Sequence, residues 1–436
     1  MSGAAVGSLV IFALTYVFIA SERIDKTVAA LLGASAVILV GFIPYHDALA
    51  AIDLNVILLL IGMMLVMSIL SDTGVFEWLA VRIAKSSRGN GVVIFLEFMV
   101  VTAVLSAFLD NVTTVILLAP ITILIAEILE IPPVPILILE AIASNIGGTS
   151  TLIGDPPNIL IGSQAGLSFN EFIANLGPII LVICILVFPL MAIVYRANLH
   201  VAEGVRHRLE RTRPERAILD PVSLRRGLII FALMILGFFI GRAVGIEPGI
   251  VAIAGAMVMS LACRKDLHRA LEKVEWNTVF FFIGLFMLIG SLEHNGIFER
   301  LATFMLEATG GNLLATVMTV LWFAAIMSAI VDNIPLVIAM IPLIQSMIPS
   351  FAASMGTLTP DEMRLQVEEP LFWALALGAC LGGNGTLIGA SANVVVSQIA
   401  RRNNYNITFM GFTRYGFPIM IFTVAISTIY LYLRYF

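Results

Sequence analysis

The chain has 436 residues, 60% of them apolar and only 12% charged, with mean hydropathy +1.02 and a formal net charge of -5. That composition excludes a soluble globular protein, because too few polar residues remain to clothe the apolar ones, and lipid is the solvent that accepts them. The small negative charge and the lack of a basic run interleaved with aromatics exclude a nucleic-acid partner, and Cys184, Cys263 and Cys380 show no zinc, redox or disulfide spacing.

Met1 to Gly7 carries no basic residue, so the N-terminus reads as the approach to a first span over 6–20 and not as a cleaved signal. Further crossings are predicted at 28–44 and 54–71. The stretch 92–128 is long enough for two passes and holds a polar break at Asp110-Asn111, which reads as a re-entrant hairpin. Spans at 134–165 and 175–195 complete a first half. A loop from Arg196 to Arg226 follows with eight arginines, the strongest cytoplasmic signal in the chain. Spans at 227–245, 249–263 and 277–292 come next, then a second interrupted stretch at 314–349. The segment from Ser350 to Pro370 lacks apolar periodicity, holds acidic residues and is predicted to be an external loop. Spans at 371–400 and 414–434 end the chain. Arg23, Lys26, Arg82, Lys85, Arg88, Arg264, Lys265, Arg269, Lys273, Arg401 and Arg402 join the central loop on one side if each half crosses an odd number of times. The expected location is the inner membrane, with a cytoplasmic central loop and periplasmic termini.

The chain repeats itself. Residues 53–120 align without a gap on 275–342 at a constant offset of 222, matching Asn55 with Asn277, Gly62 with Gly284, Asn90 with Asn312 and Asp110-Asn111 with Asp332-Asn333. Beyond 350–370 the offset becomes 235, and Gly147-Gly148, Thr151–Gly154 and Asn158 meet Gly382-Gly383, Thr386–Gly389 and Asn393. Apolar low-complexity sequence yields chance matches among Leu, Ile and Val but not matched Asp-Asn pairs. The expected fold is an all-α polytopic membrane protein of two inverted-topology repeats, 1–195 and 227–436 around a cytoplasmic linker at 196–226, with about ten transmembrane helices, two re-entrant hairpins and broken helices at the midplane.

Chemistry gathers at the breaks. Glycine and proline densities at 145–158 and 382–393 predict breaks in the helices there, and the freed amides and carbonyls are tolerated at membrane depth only where protein or a watery cavity satisfies them. Asn, Ser and Thr side chains there add donors and acceptors without burying charge. Asp110, Glu140, Asp155 and Asp332 lie inside apolar runs and are the candidate proton-coupling groups. For Asp110 and Asp332 a capping duty at a helix break stands beside that role. Asp155 and Glu140 have no acidic counterpart in the other half. Cys380 beside the second break is read either as a thiol ligand for a soft metalloid or as a small core residue. No nucleotide-binding, His-Glu-x-x-His or Gly-x-Ser-x-Gly motif occurs, so no catalytic residue, metal site or cofactor is expected and the chain is not read as an enzyme.

At Asp110-Asn111 and at Gly147–Asn158, within the run GGTSTLIGDPPNILIG, the chain resembles the arsenite permease and pink-eyed-dilution P-protein branch of the ion transporter superfamily. The similarity runs over nearly the whole chain, and relatives move arsenite, sodium, dicarboxylates or citrate. The resemblance implies a scaffold and a transport domain of two hairpins and two broken helices that moves like an elevator, and it leaves room for a homodimer and a soluble ATPase partner. The substrate would be enclosed by Asn111, Thr113, Asn145, Gly148, Thr149, Ser150, Thr151, Asn158, Asn333, Cys380, Gly383, Asn384, Thr386 and Asn393. The Ser-Asn-Thr signature of the dicarboxylate relatives is not intact, since Ile146 follows Ser144-Asn145. No Lys or Arg occurs in 92–165, so an anionic substrate lacks an obvious counter-charge there. The expected function is efflux of the neutral hydroxides of trivalent arsenic and antimony by proton antiport, with sodium/proton antiport or anion transport as the alternative.

Overall fold

A computed structural model describes residues 2–21, 24–87, 90–199, 214–355 and 359–436, and among them every regular element is helical. The first half comprises α1 (Gly3–Ser21), α2 (Lys26–Leu39), α3 (Tyr45–Ala50), α4 (Leu54–Ser71), α5 (Val75–Ser86), α6 (Gly91–Phe108), α7 (Asn111–Ile128), α8 (Pro133–Gly148), α9 (Pro156–Gln164) and α10 (Phe169–Tyr195). The second comprises α11 (Pro221–Val244), α12 (Pro248–Cys263), α13 (Leu267–Glu272), α14 (Trp276–His294), α15 (Ile297–Ala308), α16 (Leu313–Ile330), α17 (Asn333–Met355), α18 (Pro360–Met363), α19 (Glu369–Gly382), α20 (Ser391–Arg402) and α21 (Phe409–Tyr435). Adding 222 to the bounds of α3, α5 and α6 gives those of α13, α15 and α16. The repeat therefore reaches back to α1–α3, where apolar sequence alone hides it.

Local chemistry sets the boundaries in pairs. Asn90 caps α6 through the amides of Val92 and Val93, and Asn312 caps α16 through that of Ala315. Gly74 and Gly296 open α5 and α15 with φ of 79° and 65°, a left-handed turn that side chains resist. Asp220 caps α11. The backbone N–H of Ser223, 3.0 Å from its carboxyl, together with Lys265, holds that carboxyl at about 2.

Nine of the described helices are long and apolar enough to cross a membrane: α4, α6, α7, α10, α11, α14, α16, α17 and α21. Residues 3–19, 26–39, 133–148 and 248–263 form shorter apolar helices. Large side chains point outward along many of them, including Leu39 at 86% exposure and Leu261 at 80%, a surface that only lipid accommodates. The chain is a multi-pass membrane protein.

The halves exchange helices. α4 packs on α12 of the other half, and α14 packs on α2. At the first crossing a Cβ on Gly62 would lie 2.6 Å from the carbonyl carbon of Ala252. At the second, a Cβ on Gly284 would lie 2.9 Å from that of Ala30, the repeat-mate of Ala252. This reciprocal pair of crossings is the interlock that a two-fold relation between halves produces, and it makes α2, α4, α12 and α14 a frame. The hairpins α6–α7 and α16–α17, with α8–α10 and α19–α21, form a second body in which α20 packs on α7 and α8, and α9 on α17 and α19.

The expected external loop at 350–370 is overturned. α17 runs to Met355, and from Pro360 the chain is helical through a π turn at Arg364–Glu368 into α19. Its polar residues serve the helix: Thr359 and Glu362 close a capping box, and Arg364 pairs with Glu171 at 2.9 Å. Residues 356–358 and most of the central loop, 200–213, lie outside the described residues.

Candidate functional site

Each hairpin tip is a helix restart. At the first, the Asp110 carboxylate accepts from the Thr113 amide at 2.8 Å and from the Thr113 hydroxyl, while Thr114 donates to the Asp110 carbonyl. Both carboxylate oxygens are thus committed to starting α7. At the second, Asp332 accepts from the Ile334 amide at 3.3 Å, but its other oxygen faces outward to Ser391 Oγ at 2.8 Å and Lys26 Nζ at 3.3 Å.

The breaks between α8 and α9 and between α19 and α20 are held by asparagines. Asn158 Nδ2 donates to the carbonyls of Thr149 (3.0 Å) and Thr151 (2.9 Å), and Asn393 Nδ2 to those of Gly383 (2.8 Å) and Thr386 (2.9 Å). These are carbonyls that the interrupted helices leave without intrahelical donors. Thr151 and Thr386 bind the breaks to the hairpins through the carbonyls of Ala107 and Ala329. Thr149 and Ser150 bond back to the carbonyls of Asn145 and Gly147. At Gly148 a Cβ would lie 2.4 Å from the Gly154 carbonyl oxygen, so the crossing of the two arms of the break admits no side chain.

The breaks meet across the halves. Asn145 Nδ2 donates to Asn384 Oδ1 and Asn393 Oδ1, both at 3.0 Å, and its Oδ1 accepts from Asn111 at 3.1 Å. In the mate position, the Cys380 thiol donates to Asn158 Oδ1 at 3.5 Å. All of these side chains are buried. They form a polar spine behind the hairpin tips.

In front of the spine lies a cavity of about 540 Å³. Of the residues the sequence singled out, Asp110, Asn111, Asp155, Asp332 and Asn333 line it. Asn145, Gly148, Thr149, Ser150, Thr151, Asn158, Cys380, Gly383, Asn384, Thr386 and Asn393 sit in the spine and breaks, and Thr113 sits on Asp110. Glu140 is fully buried in α8, off the cavity wall, with neither carboxylate oxygen hydrogen-bonded. Sequence reasoning missed Lys26, Glu275, Asn277 and Ser391, all on the wall. Lys26 carried only a topological signal, and Asn277 had been visible as one of a matched pair.

Among the described residues of the wall, the carboxylates of Asp25, Asp110, Asp155, Glu275 and Asp332 face one cation, Lys26. Asp155 accepts from Asn333 Nδ2 at 3.4 Å on one oxygen, while its Oδ2 is buried without a partner, as is Asn111 Oδ1. At the start of α9, Pro156 and Pro157 remove two of the amides that would otherwise favour an anion there. The arrangement offers acceptors and negative charge, in a place where an unpaired acceptor costs about 1–3 kcal/mol.

The citrate transporter family model matches residues 16–367. An uncharacterized transporter of Mycobacterium tuberculosis is 39% identical over 436 residues, with 99% of each chain covered. The 46 kDa membrane protein of Mycobacterium leprae is 38% identical over 432 residues, with 98% of each covered. Human P protein is 32% identical over 503 residues, covering 97% of this chain and 59% of its own length. Among solved structures, the YdaH transporter of Alcanivorax borkumensis, described as having an unusual topology, aligns with a TM-score of 0.59 over 99% of this chain and 98% of its own, at 12% identity, a likeness of fold.

Proposed function

The chain belongs to the citrate transporter family, and on that premise we propose that it is a secondary carrier that exports a small, neutral, hydroxyl-rich solute in exchange for protons. Trihydroxyarsenic and trihydroxyantimony are the substrates of that class. The observation that carries the reading is the pair of buried, unpartnered acceptors, Asp155 Oδ2 and Asn111 Oδ1, on residues that line a carboxylate-rich cavity. A solute whose hydroxyls donate hydrogen bonds satisfies such oxygens. A bare carboxylate brings only further acceptors. Of the acidic residues, Asp155 is the best-placed proton carrier, because it meets the second hairpin tip at Asn333 and has no capping duty. Glu140, Asp110 and Asp332 remain coupling groups in the proposal, Asp110 the most restricted of them by its bonds to Thr113. In this proposal the carrier works in the inner membrane with both termini periplasmic, which puts the part of the cavity wall formed by Asp25 and Lys26 toward the cytoplasm.

Two observations favour other cargoes. A sodium ion would take the same unpartnered oxygens. Lys26 in the wall, with the family's description as citrate transporters, favours an organic anion. Everted vesicles separate the three. Trivalent arsenic should accumulate when the lumen is acid and stop when the pH gradient collapses. Arsenic flux indifferent to the gradient rejects proton coupling. A sodium-dependent pH change without metalloid supports the cation, and saturable citrate uptake without arsenic uptake supports the anion.

A further inference from the structure

The Asp-Asn pair is duplicated, yet its two copies live in different company. Asp332 receives Lys26 Nζ at 3.3 Å and Ser391 Oγ at 2.8 Å, and Lys26 also reaches Ser391 Oγ at 3.1 Å. By the offsets of the repeat, the positions that would serve Asp110 in the same way are 248 and 156, and both are proline. Proline offers neither a cation nor a hydroxyl. Asp110 turns instead to Thr113, whereas position 335, the equivalent place behind Asp332, is also proline. One hairpin tip is self-contained, and the other is tied to something outside it.

What it is tied to belongs to the frame. Lys26 is the first residue of α2, whose Thr27 hydroxyl bonds the Asn277 carbonyl of α14 at 2.9 Å, and its ammonium lies 5.0 Å from the Phe281 ring centroid on the same helix. Asp332 stands at the tip of α17, and Ser391 starts α20, both in the hairpin body. The triad therefore bridges the boundary along which the two bodies would slide in an elevator.

We propose that Lys26 is a coupling residue that latches the empty carrier: its ion pair with Asp332 holds the second hairpin to the frame until Asp332 takes a proton. This rests on the reading of the chain as a proton-coupled carrier. Protonation cancels the charge on Asp332 and turns its oxygen from an acceptor for Lys26 into a donor, which releases the tip. The groups that set the proton's reception face Asp332 from each side: Lys26 and Asp25 on α2 and its cap, Tyr16 on α1 through its bond to the Pro335 carbonyl, Asp155 through Asn333, and Asp110 and Glu275 across the cavity. An empty carrier that cannot move with Asp332 ionised does not short-circuit the proton gradient. A coupling residue at this spot acts on leak, where a purely structural lysine would act on folding.

The test is proton leak in liposomes holding the full-length protein and a pH-sensitive dye, with an imposed pH gradient and no added solute. Lys26→Met should leak several-fold faster than the unaltered carrier. Lys26→Arg should stay near it, and Lys26→Met combined with Asp332→Asn should leak clearly less than Lys26→Met, because Asp332 is one of the carboxyls that ferry the leaked proton, Asp155 being the other. Ser391→Ala, which weakens the same tie, should leak in the same direction and serves if Lys26→Met does not reconstitute. A tight Lys26→Met and Ser391→Ala, or a double variant as leaky as Lys26→Met, overturns the latch. Trivalent arsenic counterflow in the same vesicles keeps the two claims apart. Arsenic exchange with a tight Lys26→Met sinks the latch alone. The leak pattern without arsenic exchange sinks the choice of substrate alone.

Discussion

Cys380 and Asn145 show how a residue's neighbours decide between two readings that its type leaves open. A thiol beside a break invites a ligand role if the cargo is a metalloid, but Cys380 is fully buried off the cavity wall, with its sulfur 3.5 Å from Asn158 Oδ1 and beside the Asp155 carboxylate. Cys380→Ala should therefore leave arsenic flux within about twofold, since a buried free cysteine behaves as a small hydrophobe. Loss of flux from well-folded protein would restore the thiol as a ligand. Asn145 bonds three other asparagines from three segments. Asn145→Ala leaves Asn111 Nδ2 and two buried amide oxygens with fewer partners, at a cost of about 3 kcal/mol. Thermal unfolding in detergent should show it, and an unchanged midpoint would mean that the spine is not what joins the halves.

Among elements, the exchanged helix crossings carry the frame. Gly62→Val and Gly284→Val each force a side chain into backbone of the facing helix and should destabilise by about 1–3 kcal/mol, as overpacking does. Their near-equivalence is the informative part. A large effect at one and none at the other, read by thermal unfolding, would contradict the two-fold interlock. The sequence made the hairpins and breaks legible because polar and helix-breaking residues are rare in lipid-facing runs, so matched copies such as Asp110 and Asp332 stand out. The copies α1–α3 and α11–α13 stayed hidden, since chance alone matches one apolar run to another. The 350–370 segment was misread because its capping box and its Arg364–Glu171 pair look, as a string, like loop polarity. Lys26 was read for topology alone because the partner that brings it to the site, Asp332, is 306 residues away. With it, the cavity has the cation that the 92–165 stretch lacks.

At the scale of the whole molecule the two-fold is broken. A second cavity, of about 240 Å³, is walled by Asn55 and Glu247, the repeat-mates of Asn277 and Asp25 on the first. It does not reach either hairpin tip. On that side Arg242 of α11 grips the Gly166 carbonyl at 2.8 Å and the Glu171 carboxylate, and Arg364 adds bonds to the same two groups. On the proposed carrier reading, the larger cavity leads to the site and the smaller one, bordered by these ion pairs, stands on the other side of an alternating cycle. Exposed pairs of this kind contribute about 1 kcal/mol or less, enough to bias a balance between states. Arg242→Gln should raise the thiol-labelling rate of a cysteine placed at Val251, on the wall of the smaller cavity, above the background of the native cysteines. An unchanged rate would show that access to the smaller cavity owes nothing to Arg242.

The claim on which everything turns is that one cradle serves both solute and proton. It is tested by adding trivalent arsenic to purified protein in weak buffer and measuring the protons released. Displacement of protons on binding, abolished in Asp155→Asn, is the expected result. Arsenic that fails to bind, binds without proton release, or releases protons equally from the Asp155→Asn protein would contradict it.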